Sequence, residues 1–178
     1  FGASGGFPNM EDLAAKLKDV ASGRIMTRQI LKEYTSWKTG GPADILFIPS
    51  SAVDVVAGVK LARRYCVPVT VLGNGTNILV TDAGIEGLVI KLSGLDHVTV
   101  EGEFLTTGAG VSLPRLAAVA LESGLSGLEF AAGIPASVGG AIVGNAGAHK
   151  SSMSEVVTSV RVVDLGGNSF KKDRNNLK

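Results

Sequence analysis

This sequence has little of what several common functions require. Cys66 is its single cysteine, so neither an intramolecular disulfide nor a cysteine metal cluster can form. That scarcity suits a reducing compartment, and Cys66 reads as a small buried hydrophobe near a helix end. Aromatic residues make up 5% of the chain, too few for a base-stacking platform. Charged residues make up 19% and the net charge is +1, which gives no electrostatic case for nucleic acid or an anionic membrane. His97 and His149 stand far apart and make no metal site. No Ser-His-Asp or Cys-His order is readable. The phosphate-loop pattern GxxxxGK[ST] is missing. Residues 1–9, FGASGGFPN, lack the basic and apolar regions of a signal peptide and read as a flexible leader.

What the chain has is glycine: 24 in 178 residues, against an ordinary share of ~7%. The hydrophobic content of 45% is enough for a real core in one domain or two small ones. The glycines cluster without a period. Residues 127–148, GLEFAAGIPASVGGAIVGNAGA, carry one charge, Glu129; residues 72–80, LGNGTNILV, form a second cluster. Backbone this bare lets another chemical body come close, and two such segments suggest a large phosphate-bearing cofactor lying across the main chain. Residues 130–149 lack Asp, Glu, Lys and Arg and mimic a membrane span in a hydropathy window. Pro135, Ser137, Asn145 and the glycines argue against that.

Periodicity predicts a helix from a cap at Asn9 to about residue 22, with Met10, Leu13, Ala14, Leu17, Val20 and Ala21 on its apolar face and Gly23 as its stop. A strand over 45–48, a helix over 51–65 and a strand over 67–72 make a βαβ-like unit. A strand follows at 87–92, then a hairpin of 97–101 and 104–107 about Gly102. Ser112 caps a third helix, with Pro114 in its first turn and Gly124 beyond its end. Residues 158–165 alternate, Gly166-Gly167-Asn168 turns, and 169–171 return. The tail KKDRNNLK has no predicted partner. The class is α+β, with two βα subdomains meeting near residues 92–96.

Gly73-Asn74-Gly75-Thr76-Asn77 follows a buried strand. Glycines at its first and third positions allow positive φ, so that successive N–H groups point into one concavity able to hold a pyrophosphate without lysine; the plain alternative is a tight turn. No third glycine completes the GxGxxG fingerprint here, and at Gly108-Ala109-Gly110 its place is taken by Leu113. Gly133-Ile134-Pro135 starts a turn. Residues 137–148 then read as a short helix whose N-terminal N–H groups face an anion, the alternative being tight packing on a sheet. Gly139, Gly140 and Gly144 remove side chains that would hold a flat ring away. Asn145 offers a donor and an acceptor to a heteroaromatic edge. Glu129 either accepts a ribityl or ribose hydroxyl or pairs with Arg115 or Lys150. His149, after the glycine-rich run, reads as lining a pocket mouth.

Three stretches together, TSWKTGGPAD (35–44), LGNGTNILVTDAGIEGLVI (72–90) and GLSGLEFAAGIPASVGGAIVGNAGAH (124–149), resemble the UDP-N-acetylenolpyruvoylglucosamine reductase family in order and spacing. The resemblance implies a two-subdomain FAD-binding fold of the vanillyl-alcohol-oxidase type. It divides the chain into a leader and helix (1–23), FAD-binding subdomain 1 (24–92) and FAD-binding subdomain 2 (93–178), with a C-terminal substrate domain expected to be absent. It implies a cytoplasmic flavoenzyme of peptidoglycan synthesis, hence of cell wall biogenesis, cell shape and cell division. NADPH is its co-substrate and a UDP-sugar its substrate; neither nucleic acid nor a membrane is a partner. Gly73, Asn74, Gly75, Thr76 and Asn77 would hold the FAD pyrophosphate. Gly133, Ile134, Pro135, Ser137, Val138, Gly139, Gly140, Asn145 and Gly147 would line the flavin. No catalytic residue is assigned: the family's Tyr-Arg-x-Ser motif, serine proton donor and glutamate do not appear, so the expected role is FAD binding without turnover. The family usually has Ser where Thr76 stands and Tyr-Gly where His149-Lys150 stand. An FAD oxidase of the same fold and a non-enzymatic glycine-rich β module are the alternatives.

Overall fold

The computed structural model describes residues 10–177; the expected leader and the Asn9 cap lie outside the described residues. Helix α1 (Met10–Val20) buries Leu13, Ala14 and Leu17, the stripe its spacing predicts. Val20, expected on the same face, is 56% exposed at the helix end. Gly23 does not stop the helix as predicted. It opens strand β1 (Gly23–Ile30) at φ +118°, where an added Cβ would stand 2.2 Å from the Ile48 carbonyl oxygen. The sequence reading missed β1 because GRIMTRQI is half polar and its burial does not alternate.

Strand β2 (Pro42–Pro49), helix α2 (Ala52–Arg64), β3 (Val69–Leu72) and β4 (Ile85–Lys91) follow. Ser51 caps α2, accepting from the Asp54 N–H at 3.2 Å. The sheet order is β1-β2-β4-β3, with β1 antiparallel to β2 and the other pairs parallel. Because β3 and β4 are parallel neighbours, residues 73–84 must carry the chain back over the sheet from the C-terminal end of β3 to the N-terminal end of β4. That crossover is the upstream glycine cluster. Ala43 and Leu46 pack in one cluster while Ile45 and Phe47 pack in the other, and the β2–β4 pairing shifts register between Ala43 and Ile45, where β4 carries one extra residue. Helices α1 and α2 cover the face bearing Ile45, Phe47, Leu88 and Ile90. Leu31, Leu72 and Val80 cover the face bearing Leu46 and Val89.

Cys66 is exposed, contrary to expectation. Helix α2 ends at Arg64, and Cys66 stands in the following turn at φ +52°, which carries its side chain off the core face.

The rest of the chain builds a core of its own around Val111, Leu113, Leu116, Phe130, Val138 and Met153. Its elements are the hairpin β5 (Val98–Glu101) and β6 (Phe104–Thr107), helix α3 (Leu113–Glu122) and helix α4 (Val138–Val143). Then come β7 (Gly147–Ala148), β8 (Ser151–Ser152), helix α5 (Met153–Val156), β9 (Ser159–Val163) and β10 (Ser169–Asp173). Ser112 caps α3 and Gly124 follows it at φ +69°, as its local chemistry predicts. Gly108 and Gly110 pack closely on the segment that follows β4: a Cβ on either would stand 2.2 Å or less from the carbonyl oxygen of Leu95 or Leu92. The polar tail is not unpartnered. Lys171, Lys172 and Asp173 pair with β9, and the Arg174 N–H donates to the Thr158 carbonyl at 2.9 Å. A strand ladder needs backbone groups rather than apolar side chains. Among the described residues no helix is long and apolar enough to cross a membrane.

Candidate functional site

The two glycine-rich segments, distant in sequence, meet. A Cβ on Gly73 would stand 2.3 Å from the Ser137 Oγ. Gly73 therefore serves close approach, and the positive φ expected at both Gly73 and Gly75 occurs only at Gly75, φ +70°. Gly75 packs on the turn before β2, where a Cβ would stand 2.1 Å from the Tyr34 carbonyl oxygen. The Gly75 carbonyl accepts from the Ser36 N–H at 2.9 Å, and the Thr35 hydroxyl donates to the Thr39 carbonyl at 2.7 Å. With the loop held on both sides, the N–H groups of Asn74, Gly75, Thr76 and Asn77 donate to no acceptor among the described residues. A pocket of about 190 Å³ opens beside them, lined by Glu33, Tyr34, Thr35, Ser36, Lys38, Asn74 and Lys91.

The second segment behaves differently from its reading as a helix over 137–148. Helix α4 spans Val138–Val143, and its first N–H groups are already engaged. Val138 donates to the Val111 carbonyl at 2.8 Å, Gly139 to the Ala109 carbonyl at 2.9 Å and Gly140 to the Ser137 Oγ at 3.3 Å. Free backbone donors for an anion are thus those of residues 74–77, and not the start of α4. The helix stops in a Schellman arrangement: Asn145 at φ +42° donates its N–H to the Ile142 carbonyl, and the Ala146 N–H reaches the Ala141 carbonyl at 2.8 Å. The Asn145 Oδ1 accepts from the Ser154 N–H at 2.9 Å, leaving its amide NH₂ as the open group.

The glycines here fall into two sets. A Cβ on Gly139 would stand 3.0 Å from the Ala109 Cβ, and one on Gly147 2.6 Å from the Ser151 carbonyl oxygen, so the protein's own packing favours glycine at both. A Cβ on Gly133 would meet nothing within 4 Å, and one on Gly140 only the Ser137 Oγ at 3.3 Å. Neither has positive φ. Neither close packing nor positive φ within the protein demands glycine at these two positions. Ile134 and Pro135 follow Gly133 before α4, Ser137 is buried at the helix cap, and Gly140 lies within the helix. Glu129 pairs with neither Arg115 nor Lys150: its Oε2 accepts from the Gly127 N–H at 2.8 Å, and Arg115 donates to the Asp96 carbonyl.

His149 and Lys150 are exposed at the tip of the β7–β8 hairpin, with φ +52° and +69°. Two positive φ values in a two-residue loop are the geometry that Asn-Gly fills best. Lys150→Gly should raise stability by roughly 1 kcal/mol in a urea unfolding titration, leaving the rest of the fold unchanged.

The sequence reading missed Lys91, Tyr34, Thr35 and Ser36. The signal for Lys91 was a single charge at the end of an otherwise apolar run, GLVIKL.

Residues 43–171 match the family described as FAD binding domain. The UDP-N-acetylenolpyruvoylglucosamine reductase of Bacillus subtilis is 49% identical over 155 residues, 86% of this chain and 51% of that protein. The protein of the same name from Desulforamulus reducens is 45% identical over 153 residues, 85% of this chain and 50% of its own length. The chain thus spans about half the length of these curated relatives. The crystal structure of UDP-N-acetylenolpyruvylglucosamine reductase from Thermus caldophilus superposes with a TM-score of 0.69 at 33% identity, over 87% of this chain and 53% of that one. A grass pollen allergen with glucose dehydrogenase activity gives 0.72 at 18% identity, over 90% of this chain and 38% of its own, a likeness of fold alone. The α+β architecture is the FAD-binding fold of the vanillyl-alcohol-oxidase type.

Proposed function

This chain belongs to the FAD binding domain family, and from that we propose that it is the FAD-holding portion of a reductase of peptidoglycan synthesis. The reaction is conversion of UDP-N-acetylglucosamine enolpyruvate to UDP-N-acetylmuramate with NADPH in the cytoplasm. The observation that carries the reading is the meeting of the two glycine segments. At that meeting lie four unpartnered N–H groups, with two glycines nearby that the protein's own contacts leave bare. The identity to the Bacillus subtilis reductase supplies the substrate class.

The residues fit the cofactor. The N–H groups of residues 74–77, with the Thr76 and Asn77 side chains, bind phosphate oxygens. Gly133, Ile134, Pro135, Gly139 and Gly140 would present a low, uncharged surface to a flat ring, with the buried Ser137 and Val138 supporting it from beneath. Asn145 and Gly147 close its far side, with the Asn145 NH₂ as donor. When bound, FAD supplies the relay of hydride from NADPH to the enolpyruvyl double bond. We place the division between the two FAD-binding subdomains at residues 92–93, where Gly110 packs against the Leu92 carbonyl.

Hydride addition to that double bond leaves carbanion character beside a carboxylate, which needs a cation to stabilise it and an acid to quench it. No described residue of this chain is assigned either role. Arg174 is engaged with the Glu155 carbonyl at 3.2 Å. A general acid alone contributes a factor of about 10² to 10⁴. The 178-residue polypeptide, loaded with FAD and given NADPH and the UDP-sugar, should therefore turn over at least about a hundredfold more slowly than a full-length relative. Comparable turnover would show that the chain carries both groups and would refute this division of labour. Denaturation should release the flavin, whereas flavin left attached would favour a covalent oxidase of the same fold.

A further inference from the structure

Lys91 ends β4, half-buried, at the point where the chain's two glycine segments meet. Its Nζ donates to the Gly73 carbonyl at 2.9 Å and stands 5.7 Å from the centroid of the Tyr34 ring. Burial draws its pKa below the usual lysine value. Among the described residues it makes no ion pair; those present are Lys16 with Asp19 and Lys171 with Asp173, both on the surface. Glu33, the one carboxylate lining the adjoining pocket, is exposed and lies outside ion-pairing distance of Lys91. An ammonium has three N–H donors; the Gly73 carbonyl takes one, the Tyr34 ring lies beside it, and the rest of its hydrogen-bonding capacity faces the pocket without a counter-charge among the described residues.

The amine is bonded to the carbonyl of Gly73, the residue immediately before the four unpartnered N–H groups. Lys91 and Asn74 line the same pocket. The donors lining it are Asn74 and the ammonium groups of Lys91 and Lys38, and the N–H groups of residues 75–77 follow Asn74 in the loop. A carboxylate, with two oxygens, is too small an acceptor for that set, whereas a diphosphate has oxygens enough. A lysine is a compact point charge on a long stem, suited to reach beneath a loop where a flat guanidinium would crowd it.

We propose that Lys91 supplies the counter-charge of a diphosphate subsite formed with residues 74–77, and so sets the preference of this site for a dinucleotide flavin over a flavin without phosphate. This rests on the FAD reading above and departs from the sequence expectation that the loop holds pyrophosphate without lysine. The ammonium also screens the Gly73 carbonyl oxygen, whose lone pairs would otherwise repel an anion at the start of the loop.

The test titrates FAD and riboflavin, followed by flavin fluorescence, into wild-type protein and Lys91→Met, with circular dichroism to check folding. Losing one charge-assisted hydrogen bond should weaken FAD about tenfold to a hundredfold and leave riboflavin unchanged. Equal FAD affinity in both proteins would overturn the proposal, as would an equal loss for both flavins, since that would make Lys91 a strut for the loop. A second measurement needs no variant. Inorganic diphosphate should protect Lys91 of the wild-type protein from an amine-acylating reagent, read by peptide mass spectrometry; absence of protection would overturn the proposal. If wild-type protein bound no flavin yet diphosphate protected Lys91, the anion subsite would stand and the flavin reading would fall. If flavin bound and Lys91 affected neither measurement, the flavin reading would stand and this proposal would fall.

Discussion

Gly133→Leu and Gly140→Leu should each leave the protein folded and cost it FAD. A Cβ on Gly133 meets no atom within 4 Å, so the added side chain projects into open space. At position 140, inside α4, leucine replaces the poorest ordinary helix former and favours the helix by about 1 kcal/mol. Its one close neighbour is the Ser137 hydroxyl at 3.3 Å, which has room to adjust by a few tenths of an ångström. Thermal unfolding should therefore be unchanged or slightly improved. FAD affinity should fall on the order of a hundredfold or more, because a branched side chain standing where a flat ring must lie cannot be repacked by a rigid pocket. If either variant unfolds, the glycine serves internal packing; if either binds FAD as wild type does, the flavin lies elsewhere.

Gly75→Ala should fail in the opposite way. The position has φ +70°, and the new Cβ would stand 2.1 Å from the Tyr34 carbonyl oxygen and 3.0 Å from the Thr35 Cα. Both neighbours are backbone, so the turn before β2 must shift and the bond from the Ser36 N–H to the Gly75 carbonyl breaks. Backbone strain of about 1 kcal/mol and the displaced turn together should cost roughly 3 kcal/mol, or a fall in melting temperature of roughly 10 °C. FAD binding should weaken as well, because the loop that carries the four unpartnered N–H groups is displaced with the turn. The two experiments separate a glycine that shapes the chain from glycines that leave room for something else.

Much of the fold was legible where chemistry is local. Ser112, Pro114 and Gly124 mark α3, and Gly102 marks its hairpin, because caps and turns are decided within a few residues. Strand β1 was not legible: an edge strand needs only backbone pairing, and its polar sequence carries no period. Helix α4 was placed but overextended, since the ability of Asn145 to take a left-handed φ and close a Schellman stop was overlooked. At the candidate site both glycine segments stood out, but their contact at Gly73 and Ser137 depends on β4 entering the middle of the sheet. Lys91 was invisible for the same reason. Nothing in the sequence around it says that its amine meets the carbonyl of a residue 18 positions away.

The central claim, that residues 73–77 and 133–147 form one FAD site, is tested most directly by the visible absorption spectrum of the purified 178-residue chain after addition of FAD and removal of the unbound excess. The account predicts an oxidised-flavin spectrum that stays with the folded protein and is released on denaturation. A folded protein that remains colourless would contradict it.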